Sequence, residues 1–255
     1  EGGFRFVWPE KGLLASGKTG EGRMAPEAAI LSELNALFRK KDLIGKRVCI
    51  TAGPTLEPID PVRFVSNRST GKMGYALAEE AESRGALVTL ISGPVALPSP
   101  PRVKMVKIET AEEMGKEVSR VFPETDILIM SAAVADYTFK SPSPVKIKKG
   151  EKSLDLSLIR TKDILLELGR QKKKQILVGF AAETDSSDVE PLLKLKRKNL
   201  DLLVANNITL EGAGFGSDTN IATLYRGHGE KISLPKMSKR ALAEKIFDSI
   251  LKLSG

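Results

Sequence analysis

Short apolar runs rich in β-branched residues recur along the chain, and amphipathic or polar stretches separate them. The runs cover residues 47–53, 87–92, 103–108, 126–133, 175–180 and 202–206. Runs of this kind are typical of strands that are buried on both faces of a parallel sheet. Stretches with helical spacing lie between them, at 70–84, 163–172 and 189–198. The alternation predicts an α/β fold with a doubly wound, Rossmann-like and mainly parallel sheet.

The end of the chain departs from this alternation. Residues 221–225 and 231–234 flank the turn sequence Gly227-His228-Gly229-Glu230, which predicts a late antiparallel hairpin. Residues 238–253 have the spacing of a closing helix. Earlier in the chain, Thr110 followed by Glu113 is a capping box and predicts a further helix start.

We expect residues 138–162 to form a long, irregular and basic stretch, which we call the flap. Pro142 and Pro144 exclude a helix at its start. Its cations are Lys140, Lys146, Lys148, Lys149, Lys152, Arg160 and Lys162. We interpret the flap as a mobile segment that lays a lysine over a polyphosphate. The alternative is a solvated surface ribbon without a partner.

The first apolar run leads into a loop that is longer than a simple connection requires. The loop covers residues 54–68 and contains three prolines, so we expect neither a helix nor a central strand there. Connecting loops are usually only ~2–6 residues long. The length of the loop, together with Arg63, Asn67 and Arg68, indicates a functional segment.

A helix start with two glycines follows this loop. We expect Ser69 or Thr70 to cap the helix, and Gly71 and Gly74 to let backbone and ligand approach closely. Unpaired N–H groups and the positive helix end then face an anion. The pattern predicts phosphate binding by Ser69, Gly71, Lys72 and Gly74, although it matches neither the Walker nor the dinucleotide fingerprint. A plain tight turn between strand and helix is the alternative.

Unusual residues follow the ends of four predicted strands. The first end leads into the long loop, and the others carry residues 130–136, residues 180–183 and the pair Asn206-Asn207. Binding sites in parallel sheets lie at the carboxyl ends of the strands. The small residues there leave room for a ligand, and Asp136 and Glu183 supply anionic or hydrogen-bonding groups. Close packing of helix on sheet is the alternative explanation for the small residues.

The charge and the rare residue types restrict the chemistry. The 255 residues carry a formal net charge of +8, which favours anionic partners such as nucleotides, phosphates or nucleic acid; a solvated lysine-rich surface is the alternative. A single cysteine, Cys49, and a single histidine, His228, argue against a zinc site or a Cys–His catalytic pair. A lone cysteine suits a reducing cytosol. With no apolar run of ~18 residues and no leader-like start, we expect a cytoplasmic protein outside the membrane.

Distinct motifs follow one another along residues 45–253. They are Ile50-Thr51-Ala52-Gly53-Pro54-Thr55, Asp60-Pro61-Val62-Arg63, Ser66-Asn67, Ser69-Thr70-Gly71-Lys72-Met73-Gly74, Ala132-Ala133-Val134-Ala135-Asp136-Tyr137, Lys146-Ile147-Lys148-Lys149, Gly179-Phe180-Ala181-Ala182-Glu183-Thr184, Lys198-Asn199-Leu200-Asp201 and Ala205-Asn206. In this order they resemble the signature of the phosphopantothenate–cysteine ligases, the C-terminal half of a bifunctional protein of coenzyme A biosynthesis.

The resemblance implies a reaction and its partners. Such a ligase joins 4′-phosphopantothenate to L-cysteine with CTP as co-substrate. The substrate carboxylate attacks the α-phosphate of CTP, and the cysteine amine then displaces CMP from the acyl-cytidylate. The resemblance also implies Mg²⁺, whose ligands it does not specify, and a homodimer formed through the ligase domain. It implies neither a membrane nor a nucleic acid as partner.

Site residues are implied at the positions that match the family motifs. Asn67 corresponds to the asparagine that contacts the acyl-nucleotide, Lys146 to the flap lysine at the leaving phosphates, and Arg63 to a clamp for the substrate. Nucleotide contacts are implied for Met130, Ser131, Ala132, Asp136, Lys146, Phe180, Lys194 and Lys198, and for the backbone of Lys162, Asp163, Ile164 and Leu165. Phe180 is equally compatible with a core position, and Lys194 and Lys198 with a solvated helix face. Thr161-Lys162 stands where the family usually carries Asn-Pro.

Three segments are expected on this basis: 1–25, 26–45 and the ligase domain 46–255. Residues 12–24 resemble the end of the flavin-dependent decarboxylase that precedes the ligase in the bifunctional protein, with Ser16 where that family has a cysteine proton donor. We therefore expect neither decarboxylation nor bound FMN. Residues 1–25 have little core of their own and are a candidate for disorder. Residues 26–41 have the pattern of a linker helix.

Two other classes of function remain open from the sequence alone. A nicotinamide-dependent reductase would suit the fold, but the dinucleotide fingerprint is absent. A nucleic-acid-binding domain would suit the charge. However, only 5% of the residues are aromatic and they do not alternate with basic residues, which argues against a platform for stacking bases.

Overall fold

The computed structural model describes residues 6–38, 40–150, 154–183, 187–214, 216–227 and 229–253. The chain divides after Asp42 into two compact units. In the first unit, strands β1 (Glu10–Leu13) and β2 (Thr19–Arg23) pair as an antiparallel hairpin, and helix α1 (Glu27–Phe38) follows. The segment considered a candidate for disorder thus contains a hairpin, and the predicted linker helix is present with a shorter span.

An eight-stranded sheet forms the centre of the second unit, in the order β15-β14-β12-β11-β8-β3-β6-β7. Its strands are β3 (Arg47–Ala52), β6 (Leu87–Ser92), β7 (Lys104–Lys107), β8 (Ile127–Met130), β11 (Ile176–Glu183), β12 (Leu202–Asn207), β14 (Ala222–Arg226) and β15 (Lys231–Ser233). The first six of these are mutually parallel. β14 pairs antiparallel with β12 and with β15, so the late antiparallel hairpin is present as predicted from the sequence.

Helices cover both faces of this sheet. They are α2 (Lys72–Ser83), α3 (Ala111–Val121), α4 (Ile164–Gln171), α5 (Val189–Arg197) and α6 (Lys239–Leu251), with a short 3₁₀ turn at Phe122–Glu124. Val48 and Ile50 of β3 pack in the core under α2 and α6, whereas Cys49 between them packs in the core under α3, α4 and α5. This alternation follows from the two-residue period of a strand. The doubly wound, mainly parallel fold is therefore confirmed.

Helix starts agree with the sequence at Thr110 and differ at α2. The Thr110 side chain accepts from the N–H of Glu113, and the Glu113 carboxylate accepts from the N–H of Thr110, which is the expected capping box. At α2 the N-cap is Gly71, with φ of 77° and no side-chain cap, so the expected capping by Ser69 or Thr70 is wrong. A Cβ at Gly71 would lie 2.8 Å from Val95 Cγ1, so glycine is needed for close packing as well as for backbone conformation.

Small two-stranded pairs flank the main sheet. β4 (Leu56–Pro58) pairs with β5 (Phe64–Ser66) inside the long loop, and β13 (Thr219–Asn220) pairs with β16 (Met237–Ser238). β9 (Tyr137–Phe139) pairs with β10 (Leu158–Arg160), so the two ends of the flap form an antiparallel ribbon. The interpretation of the whole flap as irregular is therefore wrong at its ends.

β11 is longer than the sequence predicted, because residues 181–183 continue the parallel pairing with residues 205–207 of β12. None of the helices in the described part of the chain is long and apolar enough to span a membrane.

Candidate active site

The sheet order brings the predicted strand ends together. β12, β11, β8 and β3 are consecutive neighbours, and all four are parallel. Their carboxyl ends therefore lie along one edge, where ligands bind in open α/β sheets. The long loop after β3 reaches the next strand end, since Thr55 donates its N–H to Ala133 O at 3.3 Å and its hydroxyl accepts from the N–H of Ala135 at 3.0 Å.

Two adjoining cavities occupy this edge. The first, of about 520 Å³, we call the glycine-loop cavity. Its lining includes the predicted residues Asn67, Ser69, Gly71, Lys72, Gly74, Ser131, Ala132, Asp136, Asp163, Phe180, Lys194 and Lys198. The structure thus brings the predicted phosphate loop to the same cavity as the predicted nucleotide contacts that follow β8, lie on β11 and lie at the end of α5.

The second cavity, of about 470 Å³, we call the α4 cavity. Its lining includes Met130, Ala132, Asp136, Lys162, Asp163, Ile164, Leu165, Phe180 and Lys198. Ala132, Asp136, Asp163, Phe180 and Lys198 line both cavities, so the two are adjacent and share these side chains. Each volume lies in the range of small-molecule sites in proteins, ~300–1,000 Å³.

Asn67 lies where the loop meets the end of β8. Its amide Nδ2 donates to Ala133 O at 2.9 Å, which orients the side chain and leaves the second N–H of the amide group for another acceptor. Asn67 therefore presents a fixed donor to the glycine-loop cavity.

The two predicted lysines in the last turn and at the C-cap of α5 are both paired with carboxylates. Lys194 Nζ lies 2.8 Å from Glu183 Oε1, and Lys198 Nζ lies 2.9 Å from Asp163 Oδ2. Asp163 also caps α4 by accepting from the N–H of Leu166. These ion pairs fix both ammonium groups on the cavity wall, which argues against the alternative of a purely solvated helix face.

Two predicted site residues lie apart from the cavities. Arg63 and Lys146 line neither of them. The Arg63 guanidinium bonds to Asp60 and to Ile147 O, and the Lys146 side chain is exposed on the flap. Their proposed contacts to a ligand stay predictions.

Lys239 lines the glycine-loop cavity and was missed by sequence reasoning. It is the first residue of α6 and is buried, and it donates to Ser217 O. Burial lowers the pKa of Lys239, and the positive charge of Lys72 lowers it further, while Asp218 opposes both. Lys72 itself bonds to Asp218 Oδ1 at 2.6 Å. No local signal marked Lys239, because its role depends on contacts with distant segments.

Residues 43–253 match the family described as DNA/pantothenate metabolism flavoprotein C-terminal domain. The chain belongs to this family. It is 48% identical to the coenzyme A biosynthesis bifunctional protein CoaBC of Bacillus subtilis (strain 168), covering 99% of this chain and 63% of that protein. It is 45% identical to a cysteine/cysteine sulfinic acid decarboxylase of an unknown prokaryotic organism, covering 98% of this chain and 72% of the other.

A solved structure of this family has the same fold. The C-terminal domain of a coenzyme A biosynthesis bifunctional protein CoaBC superposes with a TM-score of 0.70 and 45% sequence identity, covering 82% of this chain and 95% of that domain. The resemblance drawn from the motifs is therefore confirmed. The chain spans about 63% of the length of the CoaBC relative from Bacillus subtilis.

Two polar atoms in the wall of this family member's site lack a protein partner. Ser131 Oγ and Asn206 Oδ1 are buried and have no hydrogen-bond partner among the described residues. Both residues line the glycine-loop cavity. Because buried polar atoms are nearly always hydrogen-bonded in proteins, we expect a water molecule or a ligand group to bond to each of them.

The acidic residues do not form a cage for a metal ion. Within the described ranges, no group of three or more His, Cys, Asp or Glu side chains could hold one. The carboxylates that line the two cavities are Asp136 and Asp163, and Asp163 is paired with Lys198. This donor set fits Mg²⁺ only where phosphates and water provide most of the ligands, as is usual for Mg²⁺ with nucleotides.

Proposed function

We propose that the chain ligates 4′-phosphopantothenate to L-cysteine with CTP, through an acyl-cytidylate, and releases pyrophosphate and CMP. The names of the CoaBC relatives place them in coenzyme A biosynthesis. The observation that carries the proposal is the pair of adjacent cavities, because the residues that line them come from the phosphate loop and from the nucleotide motifs together.

The chemistry requires a site of this kind. A carboxylate is a weak electrophile, so its oxygen first attacks the α-phosphate of CTP and pyrophosphate leaves. The amine of cysteine then attacks the acyl carbon, forms the amide bond, loses a proton and expels CMP. The reactants of the first step are anions, so the site must supply fixed donors and positive charge where negative charge accumulates.

We place the nucleoside of CTP in the α4 cavity and its phosphates toward the glycine-loop cavity. The N-terminus of α2 borders the glycine-loop cavity through Gly71 and Gly74, and its free N–H groups suit phosphate oxygens. Lys194 and Lys198 already lie on that wall and can turn from their carboxylate partners to phosphates. Mg²⁺, when bound, neutralises phosphate charge; Asp136 and Asp163 are the residues that could hold it.

Asn67 and Lys146 have distinct roles in this proposal. Asn67 is held by its bond to Ala133 O. It donates its second N–H to the carbonyl oxygen of the acyl group, where negative charge develops during the reaction. Lys146 lies on the flap and reaches the site from outside the cavity walls, where its ammonium group offsets the charge of the leaving pyrophosphate. Arg63 would contact the phosphopantothenate.

The test is product release by the purified chain. With phosphopantothenate, cysteine, CTP and Mg²⁺ we expect CMP and pyrophosphate in equal amounts, and no CMP without phosphopantothenate. ATP in place of CTP should support much slower turnover. No release alongside an active control enzyme would refute the proposal. A thermal shift with NADPH but not with CTP would instead favour a reductase.

Two variants test the assigned roles. Asn67→Asp and Lys146→Gln should each lower kcat by roughly 100-fold, the size seen when one electrostatic donor is removed. Lys149→Gln is the matched control, since it makes the same change at an exposed flap position and should stay within about twofold of the parent. Near-normal turnover by either site variant, with folding unchanged, would show that its role is wrongly assigned.

We also propose that the chain forms a homodimer, as the family resemblance implies. Light scattering after size-exclusion chromatography should then give twice the chain mass of 27.6 kDa. A single-chain mass at micromolar concentration would contradict this.

A further inference from the structure

Asp60 is a buried carboxylate at the tip of the β4–β5 hairpin. Its side chain has 0% exposure, although the neighbouring Val62 and Phe64 are largely exposed. A buried carboxylate is costly unless it is paired and hydrogen-bonded, so its partners indicate what it does. Asp60 lines neither cavity of the candidate active site.

The two carboxylate oxygens of Asp60 accept hydrogen bonds from different groups. Oδ1 accepts from the N–H groups of Val62 and Arg63, at 2.8 and 2.9 Å, and so closes the hairpin turn. Oδ2 accepts from Arg63 Nε at 3.0 Å and from Arg63 Nη2. Oδ2 also accepts from the N–H of Ile147 at 3.1 Å, which lies in the flap.

Ile147 is held at both of its backbone groups. Besides its N–H bond to Asp60, its carbonyl oxygen accepts from Arg63 Nη2 at 2.8 Å. A second link lies nearby, where the N–H of Ser143 donates to Ile59 O at 2.9 Å. We call Asp60, Arg63 and Ile147 the flap anchor. Ile147 lies more than 80 positions after Asp60 and Arg63, so the anchor ties the flap to the loop that carries Asn67.

The carboxylate of the flap anchor stays charged at neutral pH, and the anchor lies next to Lys146 in the chain. The hydrogen bonds from Arg63 hold the pKa of the Asp60 carboxyl well below its usual range, so the carboxylate stays ionised at neutral pH. Lys146 directly precedes Ile147, and consecutive Cα atoms are ~3.8 Å apart. Fixing Ile147 therefore restricts the volume that the Lys146 ammonium group can reach.

We propose that Asp60 is a positioning residue: it fixes Ile147 and thereby sets the point from which Lys146 reaches the phosphates of the nucleotide. This inference rests on the proposed ligase function for its consequence, and on the hydrogen bonds of Asp60 for its mechanism. Asp60 does not touch the reacting atoms. Its effect on kcat passes through Lys146, whereas a disturbance of Arg63, which also bonds to Asp60, would raise KM for phosphopantothenate.

The variant Asp60→Asn distinguishes the role of Oδ1 from the role of Oδ2. The amide oxygen can replace Oδ1 and keep the hairpin turn, while the amide NH₂ then replaces Oδ2 and faces the N–H of Ile147 and the guanidinium of Arg63, which are donors too. Ile147→Pro removes the same bond from the flap side, because proline has no N–H. Asp155→Asn is the matched control: it makes the same change of charge at an exposed position of the flap.

Limited tryptic digestion tests the flap anchor without any substrate. Cleavage after Lys148 and Lys149 should be roughly tenfold faster, or more, in Asp60→Asn and Ile147→Pro, because cleavage follows the population of the open flap and bonds to an ionised group are strong. The control should match the parent chain. Parental cleavage rates in folded Asp60→Asn would overturn the proposal. If Asp60→Asn does not melt cooperatively, parental rates in Ile147→Pro would overturn it.

A double-mutant cycle tests the consequence for turnover. At saturating phosphopantothenate, CMP release should fall about tenfold in Asp60→Asn, with kcat affected more than KM for CTP. The same change made in Lys146→Gln should alter CMP release by less than about twofold. Additive losses would show that Asp60 does not act through Lys146 and would overturn the proposal. If the parent chain releases no CMP at all, the ligase function fails and the role in turnover fails with it, while digestion still decides whether Asp60 holds the flap.

Discussion

Gly74 lies in the first turn of α2, where the helix leaves no room for a methyl group against β3. A Cβ at this position would lie 2.5 Å from Ala52 Cβ, 2.9 Å from Thr51 O and 3.0 Å from Ala52 Cα. Carbon atoms in contact are normally ~3.5–4.0 Å apart. Gly74→Ala must therefore push the start of α2 away from β3 by roughly 1 Å.

The magnitude follows from two opposing effects. Overpacking costs about 1–3 kcal/mol, and we take the upper end because the conflicting atoms are backbone and Cβ atoms that cannot rotate away. The higher helix propensity of alanine offsets about 1 kcal/mol of this. We expect Gly74→Ala to lower the free energy of unfolding by about 2 kcal/mol, which corresponds to a Tm lower by roughly 4–8 °C for a unit of this size.

Gly115→Ala is the matched control within α3. A Cβ there would lie 3.4 Å from Ile164 Cγ1 and 3.6 Å from Ile164 Cδ1, both on a side chain that can adjust. The propensity gain then remains, and we expect a free energy of unfolding higher by about 0.5–1 kcal/mol. Urea denaturation followed by far-UV circular dichroism measures both variants. Equal stability of Gly74→Ala and the parent, or equal losses in the two variants, would refute the packing argument.

Three further results are expected. Thr110→Ala should lower the free energy of unfolding by about 1 kcal/mol, because the capping box of α3 is lost, and an unchanged urea midpoint would contradict this. Burial raises the pKa of Cys49 to about 12, so the native protein should not react with a thiol reagent at pH 8 and the denatured protein should; rapid native labelling would argue against the buried position. Hydrogen bonds from Lys231 and Tyr225 lower the pKa of Asp188, so its contribution to stability should be complete above about pH 4 and disappear as the pH falls through the folded-state pKa. The Tm difference between the parent and Asp188→Asn should follow that course, and a difference that grows in acid would contradict it.

The sequence pattern predicted the structure correctly where a contact lies within one helix or strand, or follows from the two-residue period of a strand. The apolar runs became β3, β6, β8, β11 and β12 because a fully buried parallel strand needs apolar side chains on both faces. The Thr110 capping box lies within one helical turn and formed as expected. The start of α2 did not, because Gly71 packs against Val95, which is distant in sequence.

The flap likewise combines a feature that the local sequence predicted with contacts that it did not predict. Its prolines correctly excluded a helix, but the pairing of β9 with β10 joins residues about twenty positions apart, and no local period marked it. The link from Asp60 to Ile147 was likewise invisible, although both residues lie in motifs that the sequence identified.

The succession of strands and helices along the chain, and the meeting of the motifs that follow β3, β8, β11 and β12 at one sheet edge, could be predicted from the sequence alone. Parallel strands joined by helices place all their carboxyl ends on the same side. Only the tertiary structure decided which side chains face the cavities. Lys239 beside Lys72, the carboxylate partners of Lys194 and Lys198, and the bond from Asp60 to Ile147 depend on how distant segments pack. Such contacts are set by the distances between elements in space, which a periodic pattern along the chain does not contain.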